Sequence, residues 1–187
     1  LDKLFNIATF NLRLNAGASI VNGSATRYIQ TAGNAGDGGL TKVYSSPAQF
    51  TFHLGAPTIT PARPVKYTPA VIGFTTPPAV YGSVTINPVG YEHPSTTTNG
   101  QSLTYFWRIR SSGFSGIAAN SVIHQFNYSQ TDVVGNENNY IPVLYTRNDF
   151  TWRPGTNSNP PINIATNTIT DWTTPSNSAD FLDADYT

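Results

Sequence analysis

The chain has 187 residues, with ten Lys and Arg against ten Asp and Glu, and it contains no Cys or Met. Charged residues are 11% of it, against about 25% in an ordinary soluble domain, so it lacks the cationic surface that nucleic-acid binding requires. The missing thiols exclude disulfides, zinc–cysteine sites and thiol nucleophiles, and no apolar run reaches the roughly 20 residues of a membrane-spanning helix.

Apolar mass is ample for one core, at 39% hydrophobic and 12% aromatic residues. Alternation with a period of two dominates, which predicts strands rather than helices. In chain order the first predicted strand carries Phe10, Leu12 and Leu14 on one face. The small-residue run Asn15–Gly23, within residues 1–31, has the texture of cap strands on a stacked β-solenoid. Gly33–Gly39 carries a Gly-x-x-Gly-x-Gly string, but a strand follows it instead of the helix a phosphate cradle needs, so it is expected to be a hairpin loop. Phe50, Phe52 and Leu54 predict a second strand. Residues 56–69 hold Pro57, Pro61, Pro64 and Pro69, which fits a sheet edge or a linker. Val84 and Ile86 then alternate with Thr85 and Asn87. Leu103, Tyr105, Trp107 and Ile109 form one face of a strand whose other face is Thr104, Phe106, Arg108 and Arg110. Val122, His124, Phe126 and Tyr128 repeat the pattern, and residues 154–161 read as a loop. Turn signals at Asn22-Gly23, Pro77-Pro78, Asn99-Gly100 and Gly135-Asn136 separate these runs. The expected fold is all-β, an antiparallel β-sandwich of Ig-like or jelly-roll-like form, built as one domain over residues 1–187.

The absence of oxidisable sulfur suits an extracellular protein. Leu1 is not preceded by a basic and apolar leader, so a signal peptide is expected to have been removed, and both ends are expected to continue into a longer protein.

Several runs carry a family likeness. Ala18–Ile29 is followed by Gly38-Gly39-Leu40-Thr41-Lys42-Val43-Tyr44, then by Phe50-Thr51-Phe52-His53-Leu54-Gly55 and Lys66-Tyr67-Thr68-Pro69. Leu103–Ile109, Ser112-Gly113-Phe114 and the terminal Asp185-Tyr186-Thr187 extend the pattern. The order resembles large surface and secreted proteins of Bacteroidota exported by the type IX secretion system, in the segment that follows solenoid-like repeats. Two departures are His53-Leu54, where that pattern prefers Pro-Val, and the Pro-rich lengthening at 57–64. The resemblance implies display at the bacterial cell surface, adhesion or fibre building. It brings no catalytic residue, and its partners would be neighbouring modules or copies of the same chain.

Chemistry-bearing residues are sparse. His53, His93 and His124 lack metal-ligand spacing, and His124 on the apolar side of its strand reads as a hydrogen-bonded core residue. Glu92 or Glu137 with Asp132 or Asp149 would supply a glycosidase pair only if a cleft brought them together. Ser112–Gly116 lacks the order of a nucleophile elbow, so no enzyme activity is expected. No cofactor is expected either, calcium being the one ion its loops would take. Asp37, Asp180, Asp183 and Asp185 are loop oxygen donors, and Asp132, Asn136 and Glu137 place three such donors within six residues as the best calcium candidate. Trp107 reads as core, whereas Trp152 and Trp172 sit near turns. Tyr140, Tyr145, Trp152 and Arg153 would form a sugar-stacking platform for surface polysaccharide if they share a face. Lysine–asparagine isopeptide crosslinks, found in some surface adhesins, need a buried lysine, an asparagine and a nearby carboxylic acid. Lys42 is the one lysine placed to try, but it is expected to be an exposed strand lysine because burying one is costly.

Overall fold

Alternating apolar residues make short strands, and glycine-rich corners turn the chain from one sheet to the next. The computed structural model describes residues 1–58, 63–96, 102–154, 162–170 and 182–187. The first strands among them are β1 (Phe5–Ala8), β2 (Asn11–Leu14), β3 (Ile29–Thr31), β4 (Gly39–Val43), β5 (Phe50–Phe52), β6 (Leu54–Thr58), β7 (Arg63–Tyr67) and β8 (Ala70–Phe74). Then follow β9 (Ser83–Val89), β10 (Phe106–Ser112), β11 (Val122–Asn127), β12 (Val143–Thr146), β13 (Thr151–Pro154), β14 (Ile162–Asn163), β15 (Thr168–Thr170) and β16 (Ala184–Tyr186). Two 3-10 turns, Gln130–Asp132 and Glu137–Asn139, lie between β11 and β12. The protein is all-β, and among the described residues the strands form three open sheets with strand orders β1-β3-β6-β7, β13-β12-β16-β10-β9-β4-β2 and β14-β15-β11-β8-β5.

Pairing is antiparallel throughout the five-stranded sheet only. In the four-stranded sheet β1 pairs with β3 and β3 with β6 in parallel, and in the seven-stranded sheet β2 pairs with β4 in parallel. This corrects the antiparallel sandwich expectation for the N-terminal part, where stacking of cap strands was the other expectation, and the reason is the corners. Residues 8–10 and 33–38 carry the chain from the four-stranded to the seven-stranded sheet, so successive passes return in the same direction and stack. Gly33–Gly39 is therefore an arch between sheets, not a hairpin loop. A Cβ on Gly38 would lie 2.4 Å from the Asn11 amide nitrogen, and Gly39, at φ +75°, backs onto the Ile86 carbonyl. Phe5 pairs with Ile29 and Ile29 with Leu54, a repeat of 24 and then 25 residues.

The run from Phe50 to Leu54 also divides. Phe50–Phe52 joins the five-stranded sheet, and the chain crosses at His53 so that β6 enters the four-stranded one. The described parts of the Pro-rich stretch form the β6–β7 pair. Pro64 is in β7, the end of its sheet among the described strands, where a strand proline loses no ladder bond, and Pro57 is in the inner strand β6 where its register with β7 shifts between Ala56 and Thr58.

The core draws on all three sheets, through Ile29 and Leu54, Leu40 and Trp107, and Ile72 and Phe126 among others. Trp107 of β10 is fully buried, its ring centroid lies 4.9 Å from that of Phe126 of β11, and its indole N–H donates to the Thr68 carbonyl at 3.0 Å. Phe126 also meets Tyr186 of β16 at 4.9 Å, and the Tyr186 hydroxyl lies 3.2 Å from His124 Nε2. His124 is thus a buried, hydrogen-bonded core histidine. From Tyr44 the hydroxyl donates across to the Ile72 carbonyl at 3.0 Å.

Candidate functional site

The parallel passes end in an open face. Among the described residues β1 and β2 are the terminal strands of their sheets, and each has a parallel partner on one side only. Around them the surface is apolar: Leu4, Phe5, Phe10 and Val21 are 38, 50, 75 and 64% exposed. A groove of about 280 Å³ runs between the two strands, lined by Leu1, Phe5, Leu12, Leu14, Ile20 and Val21 among others. Leu12 and Leu14 stand opposite Leu40 and Lys42, so the groove continues the row that forms the core one pass deeper. Arg13 is the one charge in the two strands. Natural sheet edges are normally guarded by charge, proline or a covering element, and this pair has little of that protection.

Lys42 holds the loop beside this face. Its Nζ donates to the carbonyls of Asn15, Ala16 and Ala18 at 2.9, 2.6 and 2.6 Å, and the Phe50 ring lies 5.2 Å away. The lysine is buried, and burial lowers its pKa. Its partners are backbone oxygens, so it stands apart from any isopeptide chemistry.

The three calcium candidates do not converge. Asp132 is fully buried and points inward, where it pairs with Lys66 and accepts from the Thr104 hydroxyl at 3.0 Å. Asn136 caps the second 3-10 turn by accepting from the Asn138 amide at 3.1 Å. Glu137 accepts from the Tyr128 hydroxyl and from Gln130 Nε2. Sequence proximity put three oxygens in one loop, but each is engaged by a different neighbour. Among the described residues no group of three or more His, Asp or Glu side chains is placed to hold a metal ion. Asp37 turns into its own loop to accept from the Asn34 amide, Asp183 accepts from Ser111, and Asp180 lies outside the described residues.

The sugar platform is only partly assembled. Tyr145 and Trp152 are cross-strand partners on β12 and β13, with ring centroids 4.9 Å apart. His93 packs against both, at 4.7 and 4.8 Å, and the Trp152 indole donates to the Ser95 carbonyl. Arg153 stands opposite Leu144, one residue out of step, so alternation puts it on the other face of the sheet, where it pairs with Asp149. Tyr140 is tied to the Val134 backbone by two 2.7 Å bonds. It does share with Trp152 a cleft of about 470 Å³ that includes Tyr128, Leu103 and Ile141. Trp172 lies outside the described residues.

Sequence reasoning missed the charged seam next to this cluster. Asp185 is buried and accepts from Arg108 Nε at 2.9 Å, from Arg108 Nη2 at 2.6 Å and from Arg147 Nη1 at 2.5 Å, with His93 Nε2 at 3.3 Å. Burial pushes its pKa up. The hydrogen bonds from Arg108 and His93 and the two guanidinium charges outweigh that and hold it down at about 2. The signal was available in one half only: Arg108 and Arg110 mark the polar face of the Trp107 strand, but nothing in the sequence pairs that strand with the last residues.

No protein-family model, curated protein or solved structure matches the chain. Among the described residues no helix is long and apolar enough to cross a membrane.

Proposed function

We propose that the chain is a non-enzymatic structural and adhesive module of an extracellular bacterial surface protein, one that can serve as a subunit of a fibre. In this reading the seven- and five-stranded sheets form the two layers of a β-sandwich, supported by the Trp107–Phe126–Tyr186 contacts between them. The observation that carries the function is the open face at β1 and β2, where stacked parallel strands stop with apolar side chains exposed.

The occupant of that face is a further β-arch from a neighbouring module. In the purified chain the available supplier is another copy. Strand addition to an open edge gives affinity through main-chain hydrogen bonds, and the Leu12–Leu14 groove gives it register. Location at the bacterial surface rests on the runs that resemble Bacteroidota secreted proteins and on the lack of sulfur residues. Hydrogen exchange tests the face directly. Amides of β1 and β2 gain protection as protein concentration rises, while the core of the five-stranded sheet is unchanged. Exchange at β1 and β2 that is indifferent to concentration overturns the assignment.

A second reading, recognition of surface polysaccharide, is favoured by the cleft that Tyr140 shares with Trp152. It predicts quenching of tryptophan fluorescence by soluble glycans, lost in Trp152→Phe. Fluorescence that no glycan alters discards it.

A further inference from the structure

The chain has three lysines, and Lys66 stands apart from the other two. Lys3 is exposed and Lys42 is engaged by carbonyls. The Lys66 side chain is 10% exposed and its Nζ lies against Oδ1 of Asp132, whose side chain is fully buried. The two residues come from the edge strand β7 and from the 3-10 turn after β11, 66 positions apart in the chain.

Three residues of one segment hold the pair in place. Thr104 donates to Asp132 Oδ1 at 3.0 Å and so fixes the carboxyl group. The buried Tyr105 hydroxyl accepts from the Ser129 amide at 3.0 Å, and the Ser129 carbonyl accepts from the Asp132 amide at 2.9 Å, which anchors the turn. Trp107, with its ring 5.2 Å from that of Tyr105, donates to the Thr68 carbonyl just beyond Lys66. Amine and carboxyl are thus held together by the segment Thr104–Trp107, which leads into β10. Such preorganisation is the condition under which an intramolecular reaction outpaces its bimolecular counterpart by many orders of magnitude.

We propose that Lys66 and Asp132 are joined by an intramolecular isopeptide bond. An ammonium and a carboxylate lose much of their hydration in this site, and moving one proton from Nζ to the carboxylate converts them into a neutral amine and a neutral acid that burial tolerates better. The amine then attacks Asp132 Cγ and the N–C bond forms. A second proton moves from nitrogen to the hydroxyl oxygen, the C–O bond breaks, and one water leaves. The product is a neutral secondary amide, and the step needs no oxidant, reductant or further reactant. It ties the end of the four-stranded sheet to the loop above the five-stranded one. This proposal stands independently of the assembly reading.

Intact mass of the purified full chain tests it. The expected mass is about 18 Da, one water, below that of the sequence. Proteolysis is expected to release a branched peptide containing both Lys66 and Asp132. Dehydration at Asp37-Gly38 would give the same deficit, so the variants decide: Lys66→Met and Asp132→Ala restore the full mass. Asp132→Asn gives a deficit of about 17 Da, since ammonia leaves instead. A full-length mass equal to that of the sequence overturns the proposal. So do separate linear peptides bearing Lys66 and Asp132, or a deficit that persists in Lys66→Met. The peptide map of the unaltered chain settles the matter even if a variant does not fold.

Discussion

Trp107 of the seven-stranded sheet and Phe126 of the five-stranded one pack with ring centroids 4.9 Å apart and no solvent exposure on either. The indole also carries the hydrogen bond to Thr68 that tethers the start of β8, so one side chain joins three segments. Trp107→Ala is expected to cost about 3–5 kcal/mol, the range for emptying a large core site. Trp107→Phe keeps most of the volume, loses the Thr68 bond, and costs about 1–3 kcal/mol. Urea unfolding of the two variants checks both figures.

Lys42 does the work of a bound cation for the loop after β2. Lys42→Met leaves three carbonyls turned toward an apolar side chain. The expected loss is about 3 kcal/mol, with faster proteolysis within residues 15–18. A stability unchanged within error would show that those carbonyls are satisfied by water.

Acid should weaken the fold through Asp185. Its folded pKa of about 2 lies below its ordinary 3.8, so its stabilisation is fully present above about pH 4 and is lost as pH falls toward 2. The contribution is about 2–3 kcal/mol, measured as a falling urea midpoint across that window. Asp185→Asn is expected to be less stable at neutral pH and to lose this part of the pH dependence.

The last strand is central. β16 lies between β10 and β12, and Ala184, Asp185 and Tyr186 are all buried. Deleting residues 183–187 removes an inner strand of the seven-stranded sheet and the Asp185 seam together. The truncated chain is expected to show no cooperative unfolding transition, read by circular dichroism during heating.

What the sequence disclosed follows from what alternation can encode. Leu103, Tyr105, Trp107 and Ile109 were legible as buried residues, and all four are buried, but β10 begins at Phe106, so only Trp107 and Ile109 share its inner face, and Phe106 on the other face is buried as well. His124 was placed correctly by alternation. Alternation does not name a strand's partner, so the parallel pairing of Phe5 with Ile29, 24 residues on, was invisible, although the small-residue texture of residues 1–31 pointed to stacking. Tyr145 and Trp152 were grouped correctly, but the two-residue period that pairs them sends Arg153 to the other side. Asp132 was misread as a loop ligand because its partner, Lys66, is far away in the chain and adjacent only in the fold. Lys42 was misread because its partners are backbone carbonyls, which no side-chain pattern records.

Light scattering across protein concentration tests the central claim, that the β1–β2 face is an assembly surface, most directly. Particle mass is expected to rise with concentration for the unaltered chain. It is expected to stay at one copy for a variant carrying Phe5→Lys and Leu12→Lys, which places charge on the open strands. A single-copy mass for the unaltered chain over the whole range would contradict the account.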